Sequence, residues 1–160
     1  MRLSRFVSLA WLLVLFVSRP ALADATLFIG NTTAPSHHTT KGFALGAGLV
    51  IVGVEFEYAS TAEDPSIGAP RVRTGMGNVY AQTPIEVAGV RFYATTGAGV
   101  YRETLGTRQE TNIAFNTGGG AKIGLVGPLS ARVDYRVFKL RGDPLYSTVH
   151  RIYAGLNIGF

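Results

Sequence analysis

The residues best suited to chemistry in this chain are charged, and they are spaced by twos. Glu55 and Glu57 form one such pair, and Arg132, Asp134 and Arg136 form a triplet. Arg91, Glu103, Lys122 and Arg151 lie outside these two groups, on the same phase of other segments. A spacing of two puts side chains on one face of an extended strand. Carboxylates and guanidinium groups on one face can form an ion-pair network, relay protons or line an ion path. The structural outcome, a salt-bridged plug, is the expectation if that face is enclosed, because narrow barrels are filled by their own side chains.

Other candidates are poorer. His37 and His38 are adjacent, so in an extended segment they point apart, and no acidic or cysteine partner lies near them in sequence; a solvated pair in a loop is expected rather than a metal site. Gly118-Gly119-Gly120-Ala121-Lys122 lacks the spacing of a phosphate loop and the Ser or Thr after its lysine, and Gly97-x-Gly99 lacks the third glycine of a dinucleotide fingerprint. The chain has no cysteine, which removes disulfides and thiolate chemistry. No catalytic residue, cofactor or metal is expected.

The elements that position these residues are strands. Alternating segments recur near residues 25–31, 42–51, 52–60, 74–82, 89–103, 112–124, 129–139 and 148–160. One face is apolar, through Phe43, Leu45, Leu49, Val54, Phe56, Tyr58, Phe92, Val100, Ile113, Phe115, Ile123, Val133, Tyr135 and Val137. The other carries the charges, with Gly46, Gly48, Gly97, Gly99, Gly118, Gly120, Gly155 and Gly159 in the same phase. Small residues there leave room for long Arg and Tyr side chains. Residues 74–82 alternate worst. Tyr58, Tyr101, Tyr135 and Phe160 are candidates for aromatic girdles at a membrane interface.

The connections alternate in length. Those near residue 51 and at 83–88 and 127–128 are short; those at 31–41, 60–73, 104–111 and 140–147 are longer and rich in Pro, Ser, Thr and charge. An even strand count with short turns at one end and long loops at the other is the layout of a transmembrane barrel. About ten residues of strand rise about 33 Å, or about 25 Å along an axis tilted by about 40°, the height of such a barrel's apolar band. A soluble lipocalin-like barrel would instead turn the apolar face inward.

Both ends agree. Arg2 and Arg5 precede an apolar run from residue 6 to 17, followed by Ala21-Leu22-Ala23, the pattern of a secretory signal peptide over residues 1–23. The barrel domain is then 24–160. Removing Arg2, Arg5 and Arg19 takes the formal charge from +5 to about +2, so basicity gives no argument for nucleic acid. At the other end Ile152, Ala154, Leu156, Ile158 and Phe160 form one apolar face. A soluble domain rarely ends on such an edge; a strand that closes a barrel has no edge to expose.

Three stretches, Phe92-Tyr-Ala-Thr-Thr-Gly-Ala-Gly-Val-Tyr101, Gly118-Gly-Gly-Ala-Lys122 and Val133-Asp-Tyr-Arg-Val-Phe138, together with Tyr153-Ala-Gly-Leu-Asn-Ile-Gly-Phe160, resemble the small bacterial outer-membrane β-barrel proteins of the eight-stranded OmpA/OmpX kind. The resemblance implies an all-β, eight-stranded antiparallel up-and-down transmembrane barrel in the bacterial outer membrane. It also implies that Tyr153, Gly155, Leu156, Ile158 and Phe160 act as a signal for the barrel assembly machinery. The family is united by architecture more than by activity.

The expected function is a non-enzymatic outer-membrane barrel with a structural or surface-interaction role through its extracellular loops. A narrow pore for small solutes is one alternative, and a lipid-modifying outer-membrane enzyme is another. Tyr146-Ser147-Thr148-Val149-His150 lacks the His-x-Ser-Asn arrangement of the lipid A deacylases, which weighs against the last. The expected partners are outer-membrane lipid, the assembly machinery and an unidentified surface ligand, with the protein as a monomer. The lumenal charge network is assigned to Glu55, Glu57, Arg91, Lys122, Arg132, Asp134 and Arg136.

Overall fold

The computed structural model describes residues 22–33 and 37–160. Residues 1–21 of the expected signal peptide lie outside them; Leu22 and Ala23 begin the first strand. Eight strands follow in order: β1 (Leu22–Thr33), β2 (His37–Gly48), β3 (Val52–Thr61), β4 (Arg71–Gln82), β5 (Val90–Leu105), β6 (Arg108–Val126), β7 (Leu129–Leu140) and β8 (Thr148–Gly159). A single 3-10 turn, Pro65–Ile67, lies between β3 and β4. Every strand pairs antiparallel with its sequence neighbour, and β1 pairs with β8, from Asp24 opposite Gly159 to Thr33 opposite His150. The Ala23 and Phe160 backbones exchange hydrogen bonds of 3.0 and 2.9 Å at the seam. The sheet therefore has no free edge.

The faces sort by polarity. Leu27, Leu45, Val54, Phe56, Phe92, Val100, Ile113, Val133, Ile152 and Leu156 are all exposed on the outside. Glu55, Glu57, Arg132, Asp134, Arg136 and Arg151 are buried within. A water-soluble barrel needs the opposite arrangement, so the lipocalin-like alternative fails. An apolar outside around a charged inside is stable only where the outside meets lipid.

The structure corrects several boundaries. The connection expected over 31–41 shrinks to residues 34–36, because β1 and β2 continue to Thr33 and His37. His37 and His38 therefore belong to a strand, with His37 exposed and His38 turned into the lumen. The connection expected over 104–111 reduces to Gly106 and Thr107, since β5 and β6 reach 16 and 19 residues. Gly106 takes φ 57, a left-handed turn conformation that glycine adopts without strain. Polar residues at the far ends of these strands resemble loop sequence, yet backbone pairing continues there because a strand beyond the lipid has no need of an apolar face. β4 alternates well in burial; its pattern was obscured because its outward positions include Gly75, Gly77 and Ala81 rather than large apolar residues.

Two inward glycines show how the lumen is fitted. A Cβ on Gly155 would lie 2.9 Å from the Phe28 Cβ, and one on Gly118 would lie 3.0 Å from Arg136 Cγ and closer still to β7 backbone. Phe28 in turn stacks on Tyr153, with ring centroids 4.2 Å apart. Tyr101 is buried in the lumen and donates to the Arg141 carbonyl at 2.6 Å, so it is not part of an interface girdle; Tyr58, Tyr135 and Phe160 are exposed.

Candidate functional site

The lumen centre is built from β3, β7 and β8. In an eight-strand ring β3 and β7 stand opposite each other, so inward side chains of sufficient length meet across the axis. Arg132 Nη1 lies 2.5 Å from Glu55 Oε2, and Arg136 Nη2 lies 2.8 Å from Glu55 Oε1. Arg136 Nη1 lies 3.0 Å from Glu57 Oε2, an ion pair whose alignment falls short of a hydrogen bond. Asp134 accepts from Arg132 Nε at 2.7 Å and lies 3.3 Å from Arg136 Nε.

Three further side chains complete the cluster. Arg151 Nη1 donates to Glu57 Oε1 at 3.2 Å, and the Tyr153 hydroxyl donates to Glu57 Oε2 at 2.8 Å. The Tyr93 hydroxyl donates to Asp134 and accepts from Arg132 Nε. Arg151 was legible as an inward residue, but its place in the cluster was not. Arg136 and Arg151 are directly opposed on β7 and β8, a repulsive arrangement by itself, and Glu57 bridges the two. With Arg132, Arg136 and Arg151 against Glu55, Glu57 and Asp134, the cluster is charge-balanced. Burying such charges costs several kcal/mol per ion unless each is paired and hydrogen-bonded, and here each one is.

Arg91 and Lys122 were expected in the same network and are not in it. Lys122 pairs with Asp24, and Arg91 pairs with Glu86 at 3.0 Å on the exposed rim. Both sit toward the barrel end that holds the termini, where partners on β1 and in the 83–89 connection are nearer than the central carboxylates. The space below the cluster, bounded by Glu55, Tyr80, Tyr93 and Arg132, and the space above it, bounded by His38, Thr61, Glu103 and Val149, each leave no more room than a single water needs. The interior is filled by side chains rather than open.

At the end remote from the termini the connections are tied together. The Gly106 N–H donates to Glu63 at 2.9 Å, and Arg108 pairs with Asp143 at 3.1 Å. The Leu145 N–H donates to Glu103 at 3.0 Å. The 62–70 connection, the β5–β6 hairpin and the 141–147 connection thus form one platform. His150 faces outward and shares a 2.6 Å hydrogen bond with Tyr135. Among the described residues no three His, Cys, Asp or Glu side chains gather as a metal site.

Closure, face polarity and a filled, ion-paired lumen define a closed eight-stranded barrel with an apolar outside. The chain superimposes on the Neisserial surface protein A, NspA, with a TM-score of 0.68 over 87% of this chain and 96% of that one, at 10% identity. The N-terminal β-barrel domain of Pseudomonas aeruginosa OprF gives 0.65 over 88% and 98%, at 14% identity. The outer membrane enzyme PagL gives 0.51 over 84% and 98%, at 12% identity. No family model and no curated protein matches the sequence. At these identities the likeness shows the fold alone, and the fold hosts both enzymes and non-enzymes.

Proposed function

We propose that this chain is a closed, non-enzymatic barrel of the bacterial outer membrane that acts as a structural or surface-interaction protein. Residues 1–23 serve as a cleaved secretory signal; cleavage trims Leu22 and Ala23 from β1, and the seam then closes from Asp24 opposite Gly159. Both termini face the periplasm, and the tied platform of the 62–70, 106–107 and 141–147 connections faces outside, where it meets a surface ligand. The observation that carries this reading is the ion-paired lumen: a guanidinium–carboxylate cluster across the axis leaves no water path, so transport through the barrel has no route. Planar-bilayer recording tests it. The purified protein should insert without steady conductance, and a large, stable ion current would establish the narrow-pore alternative instead.

The closing strand supports a second expectation. Leu156, Ile158 and Phe160 line the outer face of β8, with Phe160 exposed at its end, while Tyr153 and Gly155 point inward. We assign these five residues to recognition by the barrel assembly machinery. Deleting Phe160, or making Phe160→Asp, should lower the yield of folded protein in outer-membrane fractions. Unchanged yield for both variants, with unchanged heat-dependent gel mobility, would refute the assignment.

A further inference from the structure

Outside the barrel, toward the end remote from the termini, cations line up along the hydrogen-bonded rows. Lys41, Ser60, Arg73, Arg102 and Thr111 are successive partners from β2 to β6. Arg73 and Arg102 are directly opposed, with Arg71 two residues further along β4. All three arginines are exposed. Directly opposed like charges repel across an antiparallel pair. Inside the barrel the equivalent pair, Arg136 and Arg151, is bridged by Glu57. Outside, none of the ion pairs among the described residues involves Arg71, Arg73 or Arg102. The polar contact of this trio is Arg102 Nε to the Thr111 hydroxyl at 3.3 Å. Among the described residues no carboxylate pairs with these cations.

A trough leads away from these arginines toward the middle of the apolar belt. Tyr58 and Phe56 on β3 flank Gly75 and Gly77 on β4; on the other side Val100 on β5 walls Gly75, while Ala98 beside Gly77 leaves the trough open as far as Phe115 on β6. The two glycines are not demanded by packing. A Cβ on Gly75 would meet nothing within 4 Å, and one on Gly77 only the Ala98 carbonyl at 3.8 Å. On inward glycines such as Gly97 and Gly99 it would instead clash with the neighbouring β4 backbone. Glycine weakens a strand interior, so its use on the outer face needs another reason, and the reason the geometry offers is depth. One residue pair beyond Gly77 along the strands lies an open concavity of about 630 Å³ beside Val54, Val79 and Thr96. Six residues of strand, from Arg73 to Val79, span about 20 Å, or about 15 Å along the tilted axis, which is one leaflet.

We propose that Arg71, Arg73 and Arg102 form a phosphate site for lipid A, the phosphorylated glycolipid of the outer leaflet, with an acyl chain lying in the trough floored by Gly75, Gly77 and Ala98. This rests on the outer-membrane orientation given above. Guanidinium groups bind phosphate through paired, charge-assisted hydrogen bonds, and a phosphate between Arg73 and Arg102 relieves their repulsion as Glu57 does within the lumen. The commitment is to the glycolipid because the cations lie at the end assigned to the outside.

Native mass spectrometry of the full-length protein released from mixed-lipid nanodiscs tests the proposal. The wild-type protein should retain lipid A in preference to dephosphorylated lipid A and to phosphatidylglycerol, a comparison that needs no variant. Arg73→Gln with Arg102→Gln should reduce lipid A retention about tenfold or more, because the charge-assisted bonds to phosphate are lost. Lys139→Gln, on β7 away from the trough, should leave retention unchanged. Gly75→Leu with Gly77→Leu should also reduce it while the barrel remains folded by gel mobility. Equal retention of dephosphorylated lipid A, equal retention of phosphatidylglycerol, or full retention by the double arginine variant would each overturn the site; full retention by the glycine variant would overturn the trough. Orientation is checked separately. The chain has no cysteine, so Thr107→Cys should react with an impermeant maleimide on intact cells, and failure there would refute the orientation rather than the phosphate chemistry.

Discussion

Arg136→Met should destabilise the folded barrel by about 3–5 kcal/mol, the cost of leaving a buried charge without its partner. Arg136 sits within ion-pair distance of Glu55, Glu57 and Asp134. Its loss leaves three carboxylates facing two guanidinium groups, with no solvent to screen them. Removing a balanced pair should be far milder. Glu57→Gln with Arg151→Met leaves Glu55 and Asp134 with Arg132 and Arg136, and the introduced amide oxygen can still accept from the Tyr153 hydroxyl. The double variant should therefore cost less than the sum of its two singles, with a coupling of about 0.5–3 kcal/mol. Equilibrium urea unfolding of the barrel in lipid vesicles measures each value. Single substitutions costing under about 1 kcal/mol each and adding without coupling would mean that the cluster does not act as a unit.

A charge placed on the outside of the barrel at mid-height should also be costly. Val133 is outward-facing near the middle of β7, and Val133→Arg should cost about 2–4 kcal/mol in a bilayer. The same change at Thr39, exposed toward the remote end of β2, should cost no more than about 1 kcal/mol. The difference reports depth, because only the first side chain must desolvate its charge in hydrocarbon. Equal small costs at both positions would show that the outer face does not contact lipid, and the membrane reading would fail with it.

Much of the fold was legible because a barrel in lipid imposes one rule on every strand. Phe43, Leu45, Val54, Phe56, Val133 and Leu156 alternate with Glu55, Glu57, Arg132, Asp134 and Arg136, and a period of two with one charged face admits few architectures. Legibility failed where that rule lapses. Beyond the lipid, Thr32, His38 and the ends of β5 and β6 need no apolar face, so paired strand looked like loop. In β4 the outward positions include Gly75, Gly77 and Ala81, and the alternation lost its contrast.

Phase determined the candidate site only in part. It placed Glu55 and Glu57 opposite Arg132 and Arg136, because strand order fixes which strands face each other across a closed ring. It did not determine which charges meet. Arg91 and Lys122 share the inward phase but lie toward the terminal end, where Glu86 and Asp24 take them; Arg151 and Tyr153 reach Glu57 from the closing strand. The outer arginines depended still more on register, since Arg73 and Arg102 are far apart in the chain and become neighbours only through the pairing of β4 with β5. The period of each strand and the polarity of each face are local properties of the chain and follow from residue order alone. Height along the barrel axis, and therefore partner choice, was decided by register and closure, and these arise only when all eight strands satisfy their backbone hydrogen bonds together.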